Sequence, residues 1–447
     1  MKTVKRNWAP ITTLFIIVAA IMLRLYLYGD PRLSIGINDT QTYIDSSHAP
    51  ILSWASFTGQ RIFTMNLVYH IFVNNNNCQL SDISYPAARQ ENDLKLQSCF
   101  DKIAFLQNLL SMLSWSFLAW EMSNRVRTSL YKILIAIIIL SFAISPQIAE
   151  WDAILGSEAL TVSLFPICLA LLIEMAFQLF EDQTSNKIII YCLMSGWLIV
   201  LSLWMFVQDA NVYFVLITPI LLMPLIIKDR LKNKALLVAS LFLIGIIALG
   251  LMSSAKSVRW QVTLEHSYEK FIFPYPSNIN YIKELGAPDP NSAGFKEWFD
   301  KKAPSAYLLF LASHPRFVIS NVLEYMPMFT ADYSQPYFIG QNAKFSSFLL
   351  TLGDFFHPET SGVYLIDTLL LVSLCYMTVK KREVKIYIWA WIGIWVYIST
   401  AAMLFIRYFG DTYNVMRHLF PAVEFFRLLL WILLIVQADL LATRKIS

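Results

Sequence analysis

An all-α polytopic membrane protein of about ten transmembrane helices, with interfacial helices and one larger extracytoplasmic segment, is the fold class this sequence predicts. Three observations predict it. Only 15% of the 447 residues are charged and 57% are apolar, against about 25% charged in a soluble chain. Mean hydropathy is +0.53. Several charge-free runs approach the ~20 residues a helix needs to cross a bilayer. The formal net charge is only +4 and the basic residues lie in short separated clusters, so nucleic acid is not an expected partner.

Asn7 to Leu23, Ile103 to Trp120, Ile133 to Ala149, Ala159 to Ile173, Ile188 to Gln208, Ala210 to Ile227, Ala235 to Ala255 and Ile386 to Ile406 each read as a span. Two more helices, from about Gly362 to Val379 and from about Val415 to Leu440, carry a few polar residues. The first run continues through Leu25-Tyr26-Leu27-Tyr28, past the roughly 7–15-residue core of a signal peptide, and so reads as an anchor.

Lys and Arg near helix ends are held in the cytoplasm. Their clusters are Lys2/Lys5/Arg6, Arg125/Arg127/Lys132, Lys187, Lys228/Arg230/Lys232/Lys234, Lys380/Lys381/Arg382/Lys385 and Arg444/Lys445, in every second connection and at both ends. The opposite connections, around Glu150 to Ser157 and at Asp209, carry no basic residue. The expected protein is therefore multi-pass with both termini cytoplasmic, a bacterial inner membrane being favoured over an endoplasmic reticulum. Three blocks follow: an N-terminal transmembrane module over 1–252 with its first outer loop at 29–99, an extracytoplasmic segment over 253–361, and C-terminal transmembrane helices over 362–447. Arg61 to Val73 is too short to span and is expected to lie in the interface. Ala306 to Met326 and Phe345 to Phe356 are expected to hug the membrane, and the Asn74 to Asn77 tract reads as a loop.

Of five cysteines, Cys168, Cys192 and Cys375 fall in apolar runs and read as small hydrophobes. Cys78 and Cys99 bracket a polar stretch placed outside the cytoplasm, where a disulfide can persist; the sequence leaves that bridge open. The six histidines are scattered without paired spacing, so a histidine metal site is not expected.

The outer loops hold the chemistry-bearing residues. Asn38-Asp39-Thr40-Gln41-Thr42-Tyr43 follows the first span, and Asp39 reads either as a helix N-cap or as a site carboxylate. Glu150, Asp152 and Glu158 put three acids in nine residues at an outer face. They read either as a solvated turn with a cap or as carboxylates facing the Asp39 loop, able to act as base, hydroxyl orienter or hard-cation ligand. At the last helix, Arg417, Glu424 and Arg427 fall roughly on one face, and charges at this depth read as functional, with a structural Glu424–Arg427 pair as the alternative. Arg417, beside His418 and four residues before Pro421, offers a forked donor set to a phosphate. Pro421 is expected to kink the helix. Arg61 reads as a grip on a lipid phosphate or a snorkelling side chain, and Lys256 and Arg259 as interfacial anchors.

The order of these features resembles the GT-C superfamily of integral-membrane glycosyltransferases, which take sugars from polyprenyl-phosphate carriers. In that pattern an Asp follows the first span with a Tyr beyond it, as Asp39 and Tyr43 do. An Arg opens an interfacial helix, as Arg61 does. A Glu begins a later span, as Glu158 does, and the closing helix carries Arg with a nearby Pro, as Arg417 and Pro421 do. No Asp-Glu pair of the protein-mannosyltransferase kind is present, because Thr40 follows Asp39, and this leaves the acceptor class open. The resemblance implies Asp39 as base for an acceptor hydroxyl and a lipid-phosphate sugar as donor. The expected substrate-binding set is Tyr43, Arg61, Glu150, Asp152, Glu158, Arg417 and His418. Expected partners are the polyprenyl-phosphate-sugar lipid, a glycan, lipid or protein acceptor, and the membrane. No cofactor is implied with certainty, and a divalent cation stays open. A polysaccharide polymerase or ligase and a lipid or sugar flippase are the rival readings.

Overall fold

A computed structural model of the protein describes residues 8–73, 78–80, 96–181, 186–228, 234–331, 333, 335 and 346–442. Lys2, Lys5, Arg6, Asn74 to Asn77, Arg230, Lys232, Arg444 and Lys445 lie outside them. The first half of the chain forms α1 (Ala9–Tyr28), α2 (Thr40–Ser47), α3 (Ala55–Thr58), α4 (Phe63–Phe72), α5 (Asp101–Arg125), α6 (Ser129–Ile144), α7 (Pro146–Ala149), α8 (Ser157–Phe180), α9 (Lys187–Met205), α10 (Asp209–Lys228) and α11 (Lys234–Lys256). The second half forms α12 (Arg259–Phe271), α13 (Pro276–Glu284), α14 (Gly294–Ser313), α15 (Pro315–Glu324), α16 (Ser346–Phe356), α17 (Gly362–Lys381), α18 (Val384–Gly410) and α19 (Val415–Ala442). Among the described residues extended pairing is limited to isolated bridges at Ile35.

By length and composition, α1, α5, α8, α9, α11, α17, α18 and α19 can each cross a membrane. Two bent pairs pass the same test: α6 with Pro146–Ala153, bent by 55°, and α14 with α15, bent by 83°. The described part of α10 is a shorter apolar helix, Asp209–Met223. The spans read from the sequence thus correspond to α1, α5, α6, α8 to α11 and α17 to α19. The α14–α15 pair divides at Pro315, which has no N–H to offer the preceding turn, inside the stretch expected to hug the membrane.

The core sits where α8 and α19 meet their neighbours. Both are buried almost all round, which marks them as central helices, whereas α1 and α17 keep a broad apolar face exposed. Stacked rings cross this core: Phe165 lies 3.8 Å from Phe425, and Trp204 meets Phe214 edge-on at 4.9 Å. The α17–α18–α19 contact depends on Gly393, since a Cβ there would stand 2.9 Å from Leu371.

Charged groups collect at opposite ends of the bundle. At one end Arg127 pairs with Glu383 at 2.7 Å and Lys385 with Glu181 at 2.8 Å, while Asp439 accepts from the Arg127 and Thr128 N–H groups at 2.9 Å each. The α1–α2, α7–α8, α9–α10 and α18–α19 connections gather at the other end. The segment expected to lie in the interface, Arg61 to Val73, buries one face against the bundle. The helix α4 packs into the protein, with Met65 and Tyr69 buried and the Thr64 N–H donating to the Phe206 carbonyl at 3.0 Å.

Candidate active site

The chain leaves α1 at Gly29, whose φ of 79° suits a residue without a Cβ. It then runs extended past the α7–α8 connection: Ile35 N–H donates to the Ala153 carbonyl at 2.8 Å, and Leu155 N–H donates to the Ile35 carbonyl at 2.9 Å. Two hydroxyls fix the register, as Thr40 Oγ1 and Tyr69 OH both donate to the Leu155 carbonyl, at 3.0 and 3.1 Å. This backbone clamp sets Asp39 beside the start of α8.

Asp39 precedes α2 but makes no capping bond; the cap role falls outside what its carboxylate does. One oxygen accepts from Arg61 at 2.7 Å and the other from Arg417 at 2.8 Å. Arg61 also donates through Nε to Thr42 Oγ1 at 2.5 Å and lies 4.4 Å over the Tyr43 ring. Arg61 is thus drawn into an ion pair with Asp39 rather than extended along the surface. Behind Asp39, Arg417 donates through Nε to Glu158 Oε1 at 2.7 Å. Glu158 is 1% exposed and Arg417 6%. Gly156 makes room for that carboxylate, because a Cβ there would stand 2.8 Å from Glu158 Oε2.

Burial works to raise the Asp39 carboxyl, but the Arg417 and Arg61 guanidinium groups hold it down at about 2. Its folded value lies below the ordinary one, so the stability it contributes is present above the ordinary carboxylate range and is lost as pH falls toward 2. A carboxylate this acidic is a feeble base while both arginines remain on it.

A second polar chain borders the cluster. Tyr43 OH and Gln208 Nε2 both donate to Ser157 Oγ, at 3.1 and 2.6 Å. Arg407, 4% exposed in the last turn of α18, donates to Gln208 Oε1, to the His418 carbonyl, and to Asn211 Oδ1 at 3.1 Å. Sequence reading missed Ser157, Gln208, Asn211 and Arg407. The available signal was an arginine directly after the apolar run that ends at Ile406, which reads by default as an interfacial anchor.

Asp39, Tyr43, Arg61, Glu158 and Arg417 therefore come together, and three predicted residues do not join them. Asp152 is fully buried and pairs with Arg24, which reaches it from α1 and also donates to the Ala143 carbonyl at 3.0 Å. Glu150 accepts from Gln335 at 2.7 Å. The His418 ring turns to Asp411 at 3.5 Å, which His266 approaches from its other side at 3.3 Å. Of the residues read on one face of the last helix, Arg417 meets the Asp39 cluster, whereas Glu424 and Arg427 form the structural pair of the alternative reading. Glu424 bridges Arg427 at 2.6 Å and His357 at 2.5 Å, and His357 reaches Ser145 Oγ at 2.6 Å; all three charged or ionisable partners are buried. Arg259, expected as an interfacial anchor, grips Asp209 at 2.7 and 3.0 Å and donates to the Phe57 and Gly59 carbonyls. Cys78 and Cys99 are joined as a disulfide with Cα atoms 5.7 Å apart. Among the described residues no three His, Cys, Asp or Glu side chains converge on a point where a metal ion would fit, and Arg417 stands between the site's two carboxylates.

Arg417→Lys retains charge but cannot reach Glu158 and Asp39 with one planar fork. It is expected to release Asp39 and weaken phosphate binding about tenfold or more, the weight of one charge-assisted hydrogen bond. Unchanged affinity for a polyprenyl phosphate in a folded Lys variant would show that a point charge suffices.

No family model matches the chain, and no curated protein does. Among solved structures it is similar to the archaeal oligosaccharyltransferase AglB from Archaeoglobus fulgidus, in complex with an inhibitory peptide and a dolichol-phosphate. That likeness has 14% identity and a TM-score of 0.46, over 97% of this chain and 51% of that one. A second structure, the Archaeoglobus fulgidus oligosaccharyltransferase tethered to an acceptor peptide, gives 13% identity and a TM-score of 0.43, over 96% and 49%. The chain spans about half the length of these proteins.

Proposed function

We propose that this protein is a GT-C type membrane glycosyltransferase that moves a sugar from a polyprenyl-phosphate donor to an acceptor hydroxyl at the extracytoplasmic face. The observation that carries the reading is the sharing of Asp39 between two arginines. A carboxylate suited to accept a proton sits in contact with two forked cations suited to hold a phosphate, where the helix ends meet.

The reaction is one displacement. The acceptor oxygen bonds to the anomeric carbon as the bond from that carbon to the phosphate oxygen breaks. The acceptor proton passes to Asp39, and the lipid phosphate leaves with the electron pair. Phosphate oxygens take over Arg417 and Arg61, so donor binding frees the Asp39 carboxylate from the pairs that suppress its basicity. Glu158, behind Arg417, keeps that guanidinium aimed as Asp39 lets go. Fixed positive charge at the leaving oxygen stabilises the transition state most effectively where water is excluded.

Two features support the outer face. The loops carrying Arg127 and Lys385 lie at the opposite end of the bundle, where the cytoplasm is expected, and the Cys78–Cys99 disulfide belongs to the loop that carries Asp39, in keeping with an oxidising compartment. Reporter fusions after Lys234 and after Asn291 are expected on opposite sides, the second outside; the same side for both would remove the topology. The activity itself is tested with reconstituted protein, polyprenyl-phosphate sugars and a panel of glycan, lipid and peptide acceptors. Release of polyprenyl phosphate coupled to glycoside formation is expected. Movement of the intact lipid across the bilayer without cleavage would replace the transferase reading with a flippase.

A further inference from the structure

Arg407 is the arginine of this site that, among the described residues, makes no ion pair: Glu158 acts on it only through space, and that carboxylate is already bound to Arg417. Arg407 is 4% exposed, yet among the described residues its hydrogen-bond partners are all neutral: Gln208, Asn211 and the His418 carbonyl. Its buried Nε has no hydrogen-bond partner at all. Buried charges are ordinarily paired, because taking an ion out of water is costly unless an opposite charge repays it. The other buried or half-buried arginines at this end obey that rule: Arg24 has Asp152, Arg259 has Asp209, Arg61 has Asp39, and Arg417 has Asp39 and Glu158.

The charge count then becomes informative. Arg61, Arg417 and Arg407 set against Asp39 and Glu158 leave one positive charge. Gln208 links Arg407 to that cluster through Ser157, so the five groups belong to one polar network. Asp411, the next acid, lies between two histidine rings and is partly exposed, and it makes no ion pair with Arg407.

A sugar joined to a polyprenyl monophosphate is a phosphodiester with a single negative charge, and its arrival brings the network to neutrality. Neutrality also holds through the displacement, since the charge gained by the leaving phosphate equals the charge Asp39 loses on taking the acceptor proton. A diphosphate-linked donor carries one more negative charge and leaves the network negative. We infer that Arg407 is the charge-balancing phosphate residue of the site and that it matches the protein to monophosphate-linked rather than diphosphate-linked lipid donors. This rests on the transferase reading above, which leaves both the residue and the donor's charge unspecified.

The test uses the full-length protein in phosphatidylcholine nanodiscs and three phosphate probes. They are polyprenyl methyl phosphate, a monoanionic diester like the sugar-linked donor, polyprenyl diphosphate, and phosphatidylglycerol, a monoanionic diester without the polyprenyl chain. Affinity and ligand-free melting are measured for the unmodified protein, Arg407→Gln and Arg407→Lys. The unmodified protein is expected to bind the methyl diester at least about tenfold more tightly than the other two. Arg407→Gln is expected to lose about 10- to 100-fold of that affinity, the range of a charge-assisted hydrogen bond, with ligand-free melting unchanged. Arg407→Lys is expected to recover most of the loss, because charge rather than fork shape is what it supplies.

Unchanged affinity in Arg407→Gln, with the unmodified protein binding normally, overturns the inference and leaves the transferase reading intact. Lowered melting in both variants without rescue by Lys assigns Arg407 to holding Gln208 and Asn211, and overturns it too. Tighter binding of diphosphate overturns the charge match. Equal binding of phosphatidylglycerol makes the site a headgroup anchor. Failure to bind any polyprenyl phosphate removes the transferase reading itself.

Discussion

Asp39→Asn is expected to abolish measurable sugar transfer while leaving a folded protein that binds lipid phosphate at least as well as the unmodified one. The carboxylate makes no capping bond, and Asn keeps its shape, so no helix is lost with it. Arg417 retains Glu158 at 2.7 Å, which holds the guanidinium in place. What disappears is the proton acceptor, and removal of a general base costs about 10²–10⁴-fold in rate. The lost carboxylate was also the group a phosphate must displace from Arg61 and Arg417, so affinity for polyprenyl phosphate should hold or rise. Full transfer by the Asn variant would remove Asp39 as base, whereas loss of lipid binding with transfer would make it a structural tie.

The same displacement predicts a pH signature. In the ligand-free protein the two arginines hold the Asp39 carboxyl at about 2. Once phosphate oxygens occupy those arginines the carboxyl should return toward the ordinary range near ~4. The acid limb of kcat is therefore expected well above 2, and a limb that stays near 2 would mean that Asp39 keeps both ion pairs during turnover.

The second large effect concerns stability. Glu424 joins Arg427 and His357 in a region where all three are buried, and Arg427 also donates to the Thr330 carbonyl at 2.8 Å. Glu424→Ala removes the buried carboxylate that Arg427 and His357 share, and breaking a buried ion pair by removing one member is expected to cost about 3–5 kcal/mol. Thermal unfolding in lipid should register that loss, while the donor affinity of the molecules that remain folded stays unchanged. Normal melting with lost donor affinity would instead return Glu424 to the substrate face.

These two predictions mark where sequence reading succeeded and where it stopped. The spans were legible because an apolar run of about twenty residues has one dominant explanation in a bilayer, and the division of loops between two ends followed from basic residues alone. Asp39, Arg61, Glu158 and Arg417 were legible as candidates through their order along the chain. Their pairing was not, since Arg417 reaches Asp39 across 378 positions and only the packed helices bring the two together. Helix periodicity placed Arg417, Glu424 and Arg427 on one face, yet rows seven residues apart on a helix are about 10 Å apart along its axis and meet different neighbours. Arg24 and Arg407 were hidden by the opposite error. Each stands at the edge of an apolar run, where snorkelling to the interface is the default expectation, and each is instead drawn inward by a partner from a distant helix.

The most direct test of the account is a structure of the full-length protein in nanodiscs with polyprenyl monophosphate bound. The account predicts the phosphate between Arg61 and Arg417 within hydrogen-bond distance of both, Glu158 still on Arg417, and the Asp39 carboxylate turned free toward the outer opening. A phosphate bound elsewhere, with Asp39 still bridging both arginines, would contradict it.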